Sequence, residues 1–254
     1  MFWFSVLSMA FGGDIMVSTL NIGHGRGSGT HQITQSKDDI VKNLEFVGAE
    51  IVSRRPDVLA LQEADVEAWW SGNVRQSSYV ATLLSMPHVL EGEHSRRKRL
   101  NYGTSLISQV EMVEIYSQST PSTFPLPSKG FVIAKVEVEE QSYVVVSIHL
   151  DPIKASIRDT QIDTLVEELS TFDVPRIVMG DFNIQWGAEL DAYCSKLEVR
   201  PYDPLNNHAT FPKLNRRLDW ILVSEELEFV EYQTHDVALS DHKLLSATVV
   251  VSDN

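Results

Sequence analysis

The chain has 254 residues, 43% of them hydrophobic, enough to bury a large core. Its 21 basic and 35 acidic residues give a net charge of −14, a balance that opposes tight, non-specific binding of nucleic acid. One cysteine, Cys194, excludes an intrachain disulfide framework and reads as a small buried hydrophobe, and no apolar run reaches the roughly 18 residues of a membrane-spanning helix.

Residues 1–10, MFWFSVLSMA, are apolar and carry Ser8 and Ala10 where a signal peptidase prefers small residues, but they lack Lys and Arg. Residues 1–13 therefore read as an N-terminal extension, a signal-like segment or an added edge strand, ahead of a single domain over 14–254. A cytoplasmic location is expected, or a secreted or periplasmic one if residues 1–10 act as a signal. Residues 15–22 read as a strand. Over 37–54, Ile40, Val41, Leu44, Val47, Ile51 and Val52 recur at spacings of three and four, which predicts a helix. Pro56 ends it, and Asp57 to Leu61 form the next strand. Residues 102–108, 110–117, 130–138 and 142–149 read as consecutive strands, with PSTFPLP at 121–127 breaking between the second and third. A second amphipathic helix is predicted over 154–170, from Ile157, Ile162, Leu165, Val166 and Leu169. A strand over 175–180, a shorter helix over 187–198 and strands over 218–223, 227–234 and 243–251 follow. Strand-rich halves with helices between them predict an α/β sandwich, two packed mixed β-sheets flanked by helices.

Polar groups sit where these apolar runs end. Asn21 follows IMVSTL, Glu63 follows VLALQ, His149 follows YVVVSI and Asp181 follows RIVMG; Asp219 lies in LDWILV, and Asp241–His242 precede LLSATVVV. Strand ends that deliver carboxylates and imidazoles to one rim build a cleft. Oxygen donors with histidines and no cysteine suit Mg²⁺ or Mn²⁺ and metal-assisted hydrolysis.

At these residues, from about Asp14 to Val251, the chain resembles the endonuclease/exonuclease/phosphatase superfamily, the metal-dependent phosphoesterases of DNase I-like fold. Six short motifs occur in the family's order and strand context: Asn21, LQE, HLD, GDFN, RLDW and SDH. NYGTSLIS and HATFPKLNRRLDWILVS resemble further family segments. Some family nucleases carry an acidic residue two positions after the first asparagine; Gly23 stands there, which points to a single principal metal.

The resemblance and the residue chemistry together assign roles. Glu63 is the expected metal ligand, with Asp241 across the metal and the Asn21 amide oxygen assisting. His242 and Asp219 are expected to form a dyad in which the carboxylate fixes the tautomer and favours the protonated ring. Asp181 and Asn183 address one substrate if Phe182 turns into the core; Asp181 orients or deprotonates water, Asn183 donates to a phosphoryl oxygen, and His149 donates to another or protonates the leaving group. Whether His242 or Asp181 is the base stays open. Weaker substrate-binding candidates are His24 and Arg26 in GHGRG, Asp151 beside His149, and Arg96, Arg97 and Arg99 in the basic run 96–99. Trp69–Trp70 read as loop anchors in preference to a base-stacking or lipid-inserting pair.

The predicted activity is divalent-metal-dependent phosphoester hydrolysis, in the form of a phosphodiesterase using in-line attack of activated water. Endonuclease action on DNA or RNA is the alternative, and an inactive binding scaffold is a third reading that the intact set of site residues disfavours. The substrate is a small-molecule, lipid-headgroup or nucleic-acid phosphodiester. Residues 1–100 hold 10 basic and 11 acidic groups, whereas 101–254 hold 11 and 24. Long polyanions therefore meet a repulsive field from the half that supplies four of the six motifs, which favours the small or membrane-presented diester.

Overall fold

The computed structural model describes residues 13–29, 31–97, 99–205 and 208–252, without the side chain of Arg97. The N-terminal segment 1–12 lies outside the described residues.

The chain opens with β1 (Ile15–Asn21), α1 (Lys37–Val52) and β2 (Val58–Ala68), and continues with α2 (Gln76–Leu84), β3 (His88–Arg97) and β4 (Leu100–Ser108). Next come β5 (Met112–Thr120), β6 (Lys129–Val138), β7 (Gln141–His149), α3 (Ala155–Leu169), β8 (Arg176–Asp181) and α4 (Ala188–Leu197). Strands β9 (Val199–Pro201), β10 (Asp219–Ser224), β11 (Leu227–Thr234) and β12 (Leu245–Val251) follow. Two six-stranded mixed sheets form, ordered β11-β12-β1-β2-β4-β3 and β5-β6-β7-β8-β10-β9. Each is built on one parallel pair, β1–β2 and β7–β8, joined by a crossover helix, α1 or α3.

Alternation along the strands divides the apolar residues among three cores. Val58, Ala60, Ile177, Met179, Ile221 and Val223 point between the sheets. Leu59 and Leu61 point outward onto Ile40, Leu44 and Ile51 of α1. Val178, Trp220 and Leu222 point outward onto Ile162 and Leu165 of α3 and Leu190 of α4. The expected sandwich of mixed sheets with outer helices is the observed architecture. α1 begins at a capping box, with Ser36 Oγ accepting from Asp39 N–H at 3.1 Å while Asp39 Oδ2 accepts from Ser36 N–H at 3.1 Å.

Four features depart from the sequence expectation. α2, the edge strand β3 and the short strand β9 were not anticipated. β2 does not stop at Leu61 but runs to Ala68 through register shifts at Leu61/Ala64 and Asp65/Glu67. Glu63 sits in the first of these with φ 51°. A bulge of this kind re-aims a side chain, so Glu63 leaves the sheet from within a strand rather than from its end.

Candidate active site

Register places three site residues side by side. His149 pairs with Asp181 across β7–β8, and Asp181 pairs with Asp219 across β8–β10. Gly180, at φ 143°, makes the row possible: a Cβ there would lie 2.1 Å from the Ile148 carbonyl. After Asp181 the chain turns through Asn183 in left-handed backbone (φ 57°), with Phe182 fully buried in the outer core. Phe182 therefore turns away from the cleft as expected.

The other sheet supplies Asn21 at the end of β1 and Glu63 at the β2 bulge. Asn21 Nδ2 donates to Asp181 Oδ2 at 3.0 Å, which ties the two sheets together inside the site. The SDH turn is docked by Ser240, whose Oγ donates to the Asn21 carbonyl at 2.6 Å and accepts from the His242 N–H at 2.9 Å. Thr210 Oγ1 accepts the N–H groups of Leu218 and Asp219, each at 3.0 Å, and so fixes the approach to Asp219.

The electrostatics separate the titratable groups. His242 Nδ1 lies 2.8 Å from Asp219 Oδ2. Burial by itself would lower the His242 pKa, but the Asp219 carboxylate and its hydrogen bond, helped by Asp181 and Asp241, hold it up at about 10. Asp181 is pushed up to about 7 by burial and by the neighbouring Asp219 carboxylate, against the opposing pull of His242, Asn21 and Lys129. Its Oδ2 faces His149 Nε2 at 3.4 Å and His242 Nε2 at 3.9 Å. His149 is buried and stands beside the Lys129 ammonium, 3.0 Å from Nε2; both effects hold its pKa well below the usual imidazole value. Burial would raise the pKa of Glu63, yet Lys129 at 3.5 Å, His24 at 3.6 Å and Arg26 at 3.7 Å, together with His149, hold it well below the usual carboxylate range.

The donor set fits a hard divalent cation. Glu63 is ionised, the Asn21 amide oxygen accepts one N–H, that of Gly23 at 3.0 Å, and Asp241 Oδ1 is buried with no hydrogen-bond partner. Asp181, Asp219 and His242 also place one donor atom each within 4.8 Å of one another. A ring held protonated by Asp219 is no ligand, so we read that trio as proton-handling.

Other candidates fall elsewhere. Asp151 is fully buried and accepts from Thr123 N–H and Oγ1–H, Ile153 N–H and Lys154 N–H. It anchors a loop and touches neither the cleft nor His149, because four local donors consume its oxygens. Arg96 and Arg99 are exposed on the β3–β4 hairpin, where Arg96 Nε donates to the Glu93 carbonyl and the Arg99 carbonyl accepts from Trp69 N–H; Arg97's side chain lies outside the described residues. His24 is buried, with Nδ1 2.8 Å from Asp65 Oδ1 and its ring against Trp70 and Tyr102. Trp70 anchors the loop by donating from Nε1 to Asp65, whereas Trp69 is half exposed.

Lys129, Asp65, Thr210 and Ser240 were missed. Lys129 opens β6 after a proline-rich break, and only the pairing of Gly130 with His149 brings it to the site. Its sequence signal was a lone lysine before a glycine. A pocket of about 240 Å³ adjoins Asp241 and His242, walled by Pro212, Lys213, Val237 and Ala238. A second concavity, of about 530 Å³ between Arg176, Trp186, Glu198 and Arg200, lies at the opposite ends of β8 and β10.

The sequence profile of the Endonuclease/Exonuclease/phosphatase family matches residues 18–242. None of the curated proteins matches by sequence. Among solved structures, an endonuclease/exonuclease/phosphatase from Beutenbergia cavernae superposes with a TM-score of 0.74 at 17% identity, covering 94% of this chain and 72% of that one. The human Nocturnin catalytic domain with bound sulfate anion gives 0.73 at 18% identity, covering 94% and 95%. A double mutant of Staphylococcus aureus beta toxin with bound magnesium ions gives 0.65 at 16% identity, covering 94% and 100%. At these identities the likeness is one of fold.

Proposed function

Since the chain belongs to the endonuclease/exonuclease/phosphatase family, whose members hydrolyse phosphoester bonds with a divalent metal, we propose that it is a phosphodiesterase acting on small or membrane-presented diesters. The observation that carries this reading is the position of Asp181. Its Oδ2 is held by Asn21 and faces both His149 and His242, next to the oxygen donors of Glu63 and Asp241. A carboxyl with a pKa near 7 is matched to taking a proton from water at neutral pH. We therefore assign Asp181 as the base.

His242, protonated at neutral pH, donates from Nε2 to a phosphoryl oxygen, and Asp219 holds the ring in place. His149 stays neutral and orients the reacting phosphate together with Lys129. One Asn183 N–H is spent on the Leu150 carbonyl at 3.0 Å, which leaves the second for substrate. Glu63, Asp241 and Asn21 are the residues that would hold Mg²⁺ or Mn²⁺. Such an ion, when bound, neutralises charge developing on the phosphoryl oxygens. No Ser or Cys nucleophile motif is present in the sequence, in keeping with direct attack by water.

We also read residues 14–254 as one domain, since one core is shared by both sheets. The pocket beside His242 and Asp241, with its short apolar wall, suits a compact alcohol group. A panel of phosphomonoesters, small phosphodiesters and phospholipids, run beside plasmid DNA with Mg²⁺, Mn²⁺ or EDTA, tests the reading. Turnover of a small or lipid diester that EDTA abolishes is expected. Turnover of DNA alone would make the protein a nuclease, and full activity after metal stripping would remove the metal from the mechanism.

A further inference from the structure

The cleft contains a cation of its own between the two carboxylates assigned to the metal. Arg26 Nη2 lies 2.6 Å from Asp241 Oδ2, while Nη1 lies 3.7 Å from Glu63 Oε2 and donates to the Gly23 carbonyl at 2.9 Å. The side chain is 14% exposed, and its Nε is buried with no hydrogen-bond partner. A guanidinium has five donors in a fixed fork. Leaving one buried and unpaired carries a cost, so the arginine is seated for its two carboxylates rather than for full hydrogen bonding. Position 23 is shaped for it. Gly23 has φ 52°, and a Cβ there would lie 2.8 Å from Arg26 Nη1 and 2.9 Å from Cζ. Any larger residue would push the guanidinium off the carboxylates. Asp241 Oδ1, meanwhile, remains buried and without a partner.

We propose that Arg26 is a resident cation that bridges Glu63 and Asp241, keeps the site to one divalent ion and gives up part of its hold on Asp241 when that ion binds. The inference rests on the reading of Glu63 and Asp241 as metal ligands. A guanidinium shared by two carboxylates satisfies the charge that would otherwise draw a second ion, and the first ion must compete with it. Without the guanidinium, Glu63 keeps Lys129 at 3.5 Å and Asp241 keeps only Lys213 at 4.0 Å, so the cleft loses the cation that contacts both carboxylates, and a divalent ion takes over that contact. Arginine therefore lowers metal affinity while preventing the cleft from becoming a two-ion trap.

The test is titration of the full protein with Mn²⁺ in the absence of substrate, read by calorimetry and by loss of the free Mn²⁺ paramagnetic resonance signal. Wild type, Arg26→Met, Arg26→Gln, Arg26→Lys and Glu63→Gln are compared, with circular dichroism to establish that each is folded. Wild type is expected to take one ion, and Arg26→Met and Arg26→Gln to bind at least about tenfold tighter or to take a second ion. Arg26→Lys keeps the charge and is expected to stay close to wild type. Folded Met and Gln variants with unchanged or weaker Mn²⁺ binding would overturn the role of Arg26. A different failure, in which Glu63→Gln leaves Mn²⁺ binding unaltered, would overturn the ligand assignment beneath it.

Discussion

In the proposed mechanism, Asp181 and His242 set a pH window for the reaction. A carboxyl raised to about 7 is protonated and idle as a base in mild acid and becomes competent as pH rises through that value. An imidazolium held at about 10 loses its proton, and its use as a donor, as pH rises through that second value. kcat/KM is therefore expected to rise through about 7 and fall toward about 10, and Asp181→Asn should remove most of the activity. Asp219 raises both pKa values, so Asp219→Asn should move both limbs of the profile to lower pH. Asp219 and His242 act as a unit at 2.8 Å; each single substitution should cost on the order of 10²-fold or more, and the double variant little beyond the worse single one. Additive losses in that double-mutant cycle would separate their roles. Glu63→Gln should lower turnover by orders of magnitude while leaving the melting temperature near wild type. The residues behind these predictions were legible because each closes or opens an apolar run in the sequence. Lys129 and Ser240 were not, because a lone lysine and a lone serine carry no periodicity; their place is set by strand register and by a turn that docks on Asn21. Asp151 misled for the opposite reason. It follows His149 in the sequence, but its oxygens are consumed by the loop that it caps.

At the scale of elements, α1, α3, β7, β8 and β11 follow from apolar spacing and from Pro56, to within a residue or two at their ends. α2 was not legible: its nine residues, QSSYVATLL, are too few to establish a helical period, and it forms by packing against α1, where Gly48 lets Leu83 approach. β3 is an edge strand with polar residues along much of its length, so its backbone pairing with β4 carried no alternation to read. The β2 bulge was invisible because its cause is tertiary, namely the opposing strand β4 and the buried Asp65, held by Gln76 and Trp70. Helix and core variants should separate stability from catalysis. Ser36→Ala removes one arm of the capping box, at a cost of about 1 kcal/mol, with unchanged kcat, as thermal melts and kinetics will show. Leu165→Ala opens a cavity under β7 and β8 and should cost roughly 2–5 kcal/mol.

Across the whole molecule, the charge of −14 places the cleft cations Arg26 and Lys129 against a predominantly acidic surface. A compact diester brings one or two charges through that field, whereas a duplex brings many. DNA cleavage, where it occurs, should fall when Arg96 and Arg99 are changed to Gln, while small-diester hydrolysis stays within about twofold, since neither side chain bonds to the site. Parallel assays of the double variant on plasmid and on a chromogenic diester will show whether the two substrates part in this way. The strand order carries one more consequence, for how the molecule comes into being. β1 lies between β2 and β12 and pairs Thr19 with Leu245, so among the described strands the earliest in sequence is completed by the latest. During synthesis the β1–α1–β2 segment waits, with one side of β1 unpaired, until β12 has been translated. The turn bearing Asp241 and His242 is tied to Asn21 through Ser240 and arrives only then. Folding is therefore slowed by a long-range closure, and the groups gathered around Asp181 come together only once β12 and the turn before it have been delivered.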